Sequence, residues 1–220
     1  MTRSPRTVDP PRVDLDGLAD RIAVLRHSGR RCLVGLAGPP GAGKSTVAGA
    51  LAGRLGGATV VPMDGFHLAQ SVLDAAGIAD RKGAPHTFDA AGFVALVRRL
   101  RAADEVVYAP RFDRHLEEPI ANAIAVTPDD DVVIVEGNYL LLDEPPWSAA
   151  RALFDLVAHL DLDPEVRLAR LVARHVVHGR TPDEAQRWIE RNDARNARLV
   201  ERGRGRADVI LAAGSVAAPH

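Results

Sequence analysis

Gly38-Pro39-Pro40-Gly41-Ala42-Gly43-Lys44-Ser45 carries the strongest signal in this 220-residue chain. The stretch fits the spacing G-x-x-x-x-G-K-[ST]. Glycines there let successive backbone N–H groups curl around phosphate oxygens. Lys44 follows the last glycine, where an ammonium reaches β- and γ-phosphates, and the next hydroxyl, Ser45, is placed to ligate Mg²⁺. The apolar run at 31–37 reads as a buried strand leading in. Residues 45–55 read as a helix leading out, closed by Gly56-Gly57. Such a helix aims the positive end of its dipole at bound phosphates. Gly38, Pro39, Pro40, Gly41, Ala42, Gly43, Lys44, Ser45 and Thr46 are therefore the expected nucleotide contacts.

Outward from this loop, 58–63 is a second strand candidate, weakened by Pro62. Further strands are expected at 131–136, 156–162 and 207–211. Residues 105–108 and 124–127 read as short strands flanking a polar excursion. Amphipathic periodicity predicts helices over 13–27 and 88–103. Asp163-Pro164-Glu165 starts another, and Thr181-Pro182-Asp183-Glu184 starts the next with a capping-box pattern. Residues 64–86 read as a long functional loop with a short helix near 68–76. Strands alternating with helices imply a parallel sheet covered on both faces. No linker or repeat divides the chain. One domain is expected over 13–212, with a helical lid at about 167–184 and loose tails at 1–12 and 213–220.

Composition narrows the partners. With 28 basic and 29 acidic residues, the chain has no global pull toward nucleic acid or an anionic membrane. No apolar run approaches a membrane span, and no apolar segment follows the Arg- and Pro-rich first residues, so a soluble cytoplasmic protein is the expectation. A single cysteine, Cys32, excludes an intramolecular disulfide framework and a Cys-rich zinc site. Arginine is abundant, whereas lysine occurs only at Lys44 and Lys82. A lysine kept in such a chain suggests a place where a compact ammonium is needed.

In an open parallel sheet the ligand sits beyond the carboxyl ends of the strands. The second strand candidate ends in Asp64-Gly65-Phe66-His67 and a later one in Glu136-Gly137-Asn138. If these strands neighbour one another, Asp64 serves as general base toward an acceptor hydroxyl or as an indirect Mg²⁺ ligand. Otherwise it merely opens a turn before Gly65. Glu136 is placed to hold metal directly or through water, or else is a solvated strand-end carboxylate. Arg167, Arg170 and Arg174 share one helix face, and Arg180 follows in a short turn. They form either a cationic lid over a triphosphate or a solvated face. Arg174 and Arg180 are the preferred catalytic pair and Arg170 a nucleotide contact. His175 and His178 have no apparent third ligand. Phe66, His67, Arg111 and Arg114 are the expected acceptor contacts, although Arg111 and Arg114 are equally placed to pair with Asp113, Glu117 and Glu118.

The loop, MDGFHLAQSVLDAAG (63–77), RKGAPHTFDAAGFVALVRRLR (81–101), VYAPRFD (107–113), EGNYLLLDEPPW (136–147) and RLARLVARHVVHGR (167–180) together resemble the uridine kinase, type I pantothenate kinase and phosphoribulokinase superfamily. The likeness spans about residues 20–212. It is nearest a bacterial branch labelled nucleoside/nucleotide kinase or fructose-transport-system kinase. The resemblance implies a P-loop NTPase fold, three-layer α/β/α, with a parallel five-stranded core sheet and a helical lid. It implies that Asp64 is the catalytic base, Glu136 the glutamate of the E-G segment, and Arg174 and Arg180 the lid arginines. It further implies ATP and Mg²⁺ as cofactors, a small-molecule hydroxyl acceptor, and a homodimer as one form of assembly. Phe112 stands where uridine kinases carry tyrosine, and the position of their base-reading histidine falls near Glu117. Sugar, nucleoside and pantothenate-like alcohols all stay open as acceptors. The rival is a nucleotide-binding ATPase or regulatory module without kinase activity.

Overall fold

The computed structural model describes residues 9–26 and 30–212. In chain order its elements are β1 (Arg12–Val13), α1 (Leu15–Arg26), β2 (Cys32–Ala37), α2 (Lys44–Arg54), β3 (Thr59–Pro62), α3 (Gln70–Ala75) and α4 (Ala90–Ala102). A hairpin of β4 (Val107–Asp113) and β5 (Glu118–Val126) follows. The rest comprises β6 (Val132–Gly137), β7 (Leu156–Asp161), α5 (Pro164–Val177), α6 (Pro182–Trp188), α7 (Ala194–Arg202) and β8 (Val209–Ala212). Of the expected tails at 1–12 and 213–220, residues 1–8 and 213–220 lie outside the described residues, as does His27 at the end of the first expected helix; Arg12, expected in the tail, belongs to β1.

Six strands form one parallel sheet in the order β1-β8-β7-β2-β6-β3. The alternating pleat divides its side chains between two cores. Leu33, Val133, Val135, Val157 and Ile210 face one apolar layer, with Phe93, Tyr139 and Trp147. Val34, Leu36, Ile134, Ala158 and Val209 face the other, with Leu18, Ile22 and Leu51 of α1 and α2. This makes the three-layer α/β/α arrangement. It has one strand more than the expected five. The extra strand, β1, pairs Arg12 with Ile210 and Val13 with Leu211. Two residues carry no readable periodicity, so only pairing to β8 reveals it.

The expected polar excursion between short strands is itself a strand pair. β4 and β5 run antiparallel from Val107↔Val126 to Asp113↔Glu118, with an irregularity between Ala109 and Arg111. Val107, Ala109, Phe112 and Val126 are buried, while most of β5 is half-buried or exposed. One covered face supports a ribbon whose other face is polar. At its turn, Asp113 accepts from the N–H groups of His115 (2.8 Å) and Leu116 (3.0 Å). The ribbon leans on the turn after β3. A Cβ at Gly65 would lie 2.4 Å from the Pro110 carbonyl oxygen, so only glycine permits this approach.

Helix α5 lies against the phosphate loop, and α6 packs on α5. Asp163 caps α5 by accepting from Glu165 N (2.8 Å) and Val166 N (3.2 Å), and Thr181 with Glu184 closes a capping box on α6. Between α6 and α7 the helix widens into a π turn, Ile189–Asp193.

Candidate active site

Strand order brings the chemistry together. β6 lies between β2 and β3, and its Glu136 is level with Leu36 on one side and Pro62 on the other. The loop after β2 and the turn carrying Asp64 after β3 therefore open beside the same carboxylate. Ser45 Oγ donates to Glu136 Oε1 at 2.9 Å. Lys44 Nζ donates to Asn138 Oδ1 (2.6 Å) and to the Pro39 carbonyl (3.2 Å). Asp64 Oδ2 accepts from Arg114 Nη2 at 2.5 Å. These groups line a cleft of about 920 Å³ that also reaches Thr46, His67, Lys82, Arg174 and Asn196.

The charges are balanced against burial. Burial opposes ionisation of Asp64, but His67, Arg114, Lys44 and Arg174 outweigh it and hold the carboxyl below the usual carboxylate range. Burial pushes His67 itself down, so at neutral pH its ring is uncharged and the two arginines and Lys44 provide the lasting attraction. Glu136 is pushed up, first by burial and then by Asp64, against the pull of Lys44 and the Ser45 hydrogen bond. Burial also pushes the Lys44 ammonium down, opposed by Glu136 and Asp64. Only Glu136 of the two carboxyls is left raised, and a divalent cation beside it would favour its ionised form.

The donor set fits magnesium. Among the described residues no group of three or more His, Cys, Asp or Glu side chains is arranged to hold a metal ion. Ser45, Glu136 and Asp64 instead offer a few hard oxygens, as suits a cation that keeps waters and takes phosphate oxygens as its other ligands. The loop likewise fits phosphate. Gly41 (φ 81°) and Gly43 (φ 87°) are left-handed. A Cβ on Gly43 would lie 3.1 Å from Arg170 Nη1, which places that guanidinium over the loop. Arg167 Nη1 donates to the Pro40 carbonyl at 3.3 Å. At Gly41 a Cβ would lie 2.7 Å from Leu171 Cγ. Gly41→Ala is therefore expected to push α5 from the loop, lowering stability by about 1–3 kcal/mol and weakening nucleotide binding. Urea unfolding together with a nucleotide titration checks both.

Other predicted residues fall less simply. His67 lines the cleft, its Nδ1 2.7 Å from the Asp64 carbonyl oxygen. Arg114 lines it too, paired to Asp64 rather than to the hairpin acids. Arg111 faces a smaller adjoining cavity of about 410 Å³, shared with Pro62, Ile124 and Glu136. Phe66 departs from the expectation: its ring packs edge-on to Phe93, 5.4 Å between centroids, against the apolar core. In a one-residue turn step the side chain follows the core, and His67 takes the cleft side. Arg174 reaches the cleft, where Asp193 Oδ1 lies 3.9 Å away. Arg180 lies over the Trp188 ring (4.3 Å) and donates to His175 Nδ1 (2.7 Å), so here its guanidinium is engaged by residues of α5 and α6.

Sequence reasoning left several cleft residues without a role: Asn138, Gln70, Trp188, Asp193 and Asn196. Lys82 was flagged only by the scarcity of lysine; its Nζ donates to Gln70 Oε1 (3.1 Å) and the Glu117 carbonyl (2.8 Å). Asn138 follows the E-G pair directly. Asp193 carried no local signal, because the π turn that turns it inward has none.

Similarity to known proteins identifies the family. The family model described as Phosphoribulokinase / Uridine kinase family matches residues 33–218. A Schizosaccharomyces pombe protein provisionally named uridine kinase C227.14 is 40% identical over 218 residues, covering 93% of this chain and 93% of that protein. A crystal structure from Silicibacter sp. TM1040, provisionally named a fructose transport system kinase, is 41% identical with a TM-score of 0.83, covering 90% of this chain and 98% of that one. D-glycerate 3-kinase from Cryptococcus neoformans var. grubii shares the fold alone, at 13% identity and a TM-score of 0.56, over 86% of this chain and 84% of that one. Among the described residues no helix is long and apolar enough to cross a membrane. A phosphate loop, two carboxylates at adjacent strand tips and a match over most of its length leave one conclusion: the chain belongs to the phosphoribulokinase / uridine kinase family, and is a P-loop kinase that phosphorylates an alcohol group.

Proposed function

We propose that this kinase moves the γ-phosphoryl of ATP, with Mg²⁺, to a hydroxyl of a small polar metabolite. The observation that carries the reading is the meeting of Lys44, the Ser45–Glu136 pair and Asp64 at three adjacent strand ends. Lys44, Arg170 and the loop N–H groups hold the phosphates. Ser45 and Glu136 hold the metal, which when bound shields phosphate charge. Asp64 accepts the proton of the attacking hydroxyl. Arg174 lies where it neutralises charge on the group in flight. Phosphoryl transfer is mostly positioning and charge neutralisation, so this set suffices. The cytoplasm, where ATP and Mg²⁺ are abundant, suits the chemistry.

One observation favours a polyol, such as a sugar, over a nucleoside. The His67 ring contacts both Phe88 (4.0 Å between centroids) and Phe112 (4.7 Å). Arg114 and Lys82 lie over Phe112 at 4.9 and 5.5 Å. Ring faces on which a base would stack are already engaged. Around them, Gln70, Lys82, Arg114 and Glu117 mix donors with acceptors, as hydroxyls require.

A screen of sugars, nucleosides and pantothenate-like alcohols with radiolabelled ATP tests the reading. Acceptor-dependent ADP release with a phosphorylated sugar is expected. A phosphorylated nucleoside would overturn the acceptor class alone. Acceptor-independent ADP release would make the protein an ATPase, and ATP binding without any turnover would make it a regulatory module.

A further inference from the structure

We infer that Asp193 is a positioning residue that stations the lid arginines and links them to the acceptor-side loop at 79–84. The inference rests on the kinase reading above and assigns a role to a side chain outside the phosphate loop and both strand-tip carboxylates. Asp193 belongs to the π turn Ile189–Asp193. Such a turn is rare and is frequently found at functional sites. Here it keeps Asn192, Asp193 and, one turn on, Asn196 buried at 4%, 7% and 3% exposure.

One side of the turn holds the lid. Asp193 Oδ2 lies 2.9 Å from His175 Nε2, and Arg180 Nη1 lies 2.7 Å from His175 Nδ1. A guanidinium only donates, so Nδ1 must be the accepting nitrogen and Nε2–H donates to Asp193. His175 thus joins Arg180 to Asp193. The second carboxylate oxygen faces Arg174 at 3.9 Å. Asp193 is also the leading opposite charge acting on the half-buried Arg174, with Asp64 and Glu117 acting less. Both lid arginines therefore take their place from one carboxylate.

The other side of the turn holds the acceptor loop. Asn192 Nδ2 donates to the Asp80 carbonyl (3.0 Å) and Asn196 Nδ2 to the Gly83 carbonyl (3.1 Å). Arg81 Nη1 donates to the Arg191 carbonyl (3.3 Å). Lys82, in the same loop, faces the cleft and grips Gln70 and the hairpin turn. A ligand that moves 79–84 therefore moves the turn that carries Asp193. The lid arginines would reach their working positions only when both halves of the cleft are in order, which limits loss of ATP to water.

The test compares binding of ADP with that of the non-hydrolysable ATP analogue AMP-PNP, each with Mg²⁺, by calorimetry. Asp193→Asn keeps the shape and removes the charge. It is expected to weaken AMP-PNP about tenfold and leave ADP unchanged, because only the γ-phosphate needs a stationed arginine. Asp193→Glu is expected to recover part of the loss. Equal weakening of both nucleotides, or no change in either, would overturn the positioning role. If Asp193→Asn does not fold, His175→Gln reads the same relay with the same expected selectivity. For the link, AMP-PNP should slow amide hydrogen exchange in 79–84 of the wild type and do so less in Asn192→Ala. Identical protection in the two proteins would overturn the link. Wild-type protein that binds neither nucleotide would overturn the kinase reading, a different failure with a different signature.

Discussion

Asp64→Asn is expected to retain nucleotide binding and to lose phosphoryl transfer by about 10²–10⁴-fold, the usual contribution of a placed general base. The amide keeps the shape of the side chain, so the turn against Pro110 should survive. Its oxygen can still accept from Arg114, but it cannot take a proton from an alcohol. Removing the negative charge leaves Lys44, Arg114 and Arg174 less neutralised, so ATP affinity should hold or rise. The Arg114 pair is made through Oδ2, so in the proposed mechanism Oδ1 is the oxygen that takes the proton. Single-turnover product formation beside calorimetric ATP binding separates the two effects. Undiminished transfer in the variant would remove Asp64 from the chemistry.

Lys44→Ala is the second large expectation: lower nucleotide affinity and a rate reduced by about 10²–10³-fold, as when a preorganised charge partner of the transition state is removed. The ammonium does more than meet phosphate. It is the largest opposing influence on the raised Glu136 carboxyl and one of the cations that keep Asp64 ionised. Without it, both carboxyls move upward and Glu136 holds its proton more tightly. The Mg²⁺ requirement should then shift to higher concentration. Initial rates across ATP and Mg²⁺ concentrations check this, and normal kinetics would discredit the loop as the phosphate cradle.

Local chemistry was legible where the backbone itself carries the message. Glycines at 41 and 43 must take left-handed angles, a lysine must follow, and a helix must begin, so the loop can be read without seeing it folded. Asp163 and Thr181 announced their helices for the same reason: a cap satisfies N–H groups two and three residues away. The hairpin was half-read, because a ribbon with one polar face resembles a loop until its partner strand is known. Phe66 and His67 were assigned alike, and which of them turns to the core depends on Phe93, twenty-six or more residues distant in sequence.

From residue order alone came the phosphate loop, the alternation of buried strands with amphipathic helices, and the two strand-end carboxylates. Each depends on neighbours a few residues away, and short-range sterics and hydrogen bonding are written in adjacent letters. Folding in three dimensions settled which strands adjoin, that Arg114 pairs with Asp64, that α5 lies on Gly41, and that Asp193 turns inward to His175 and Arg174. Those contacts join segments far apart along the chain, and their energies depend on burial and distance, which no local pattern encodes.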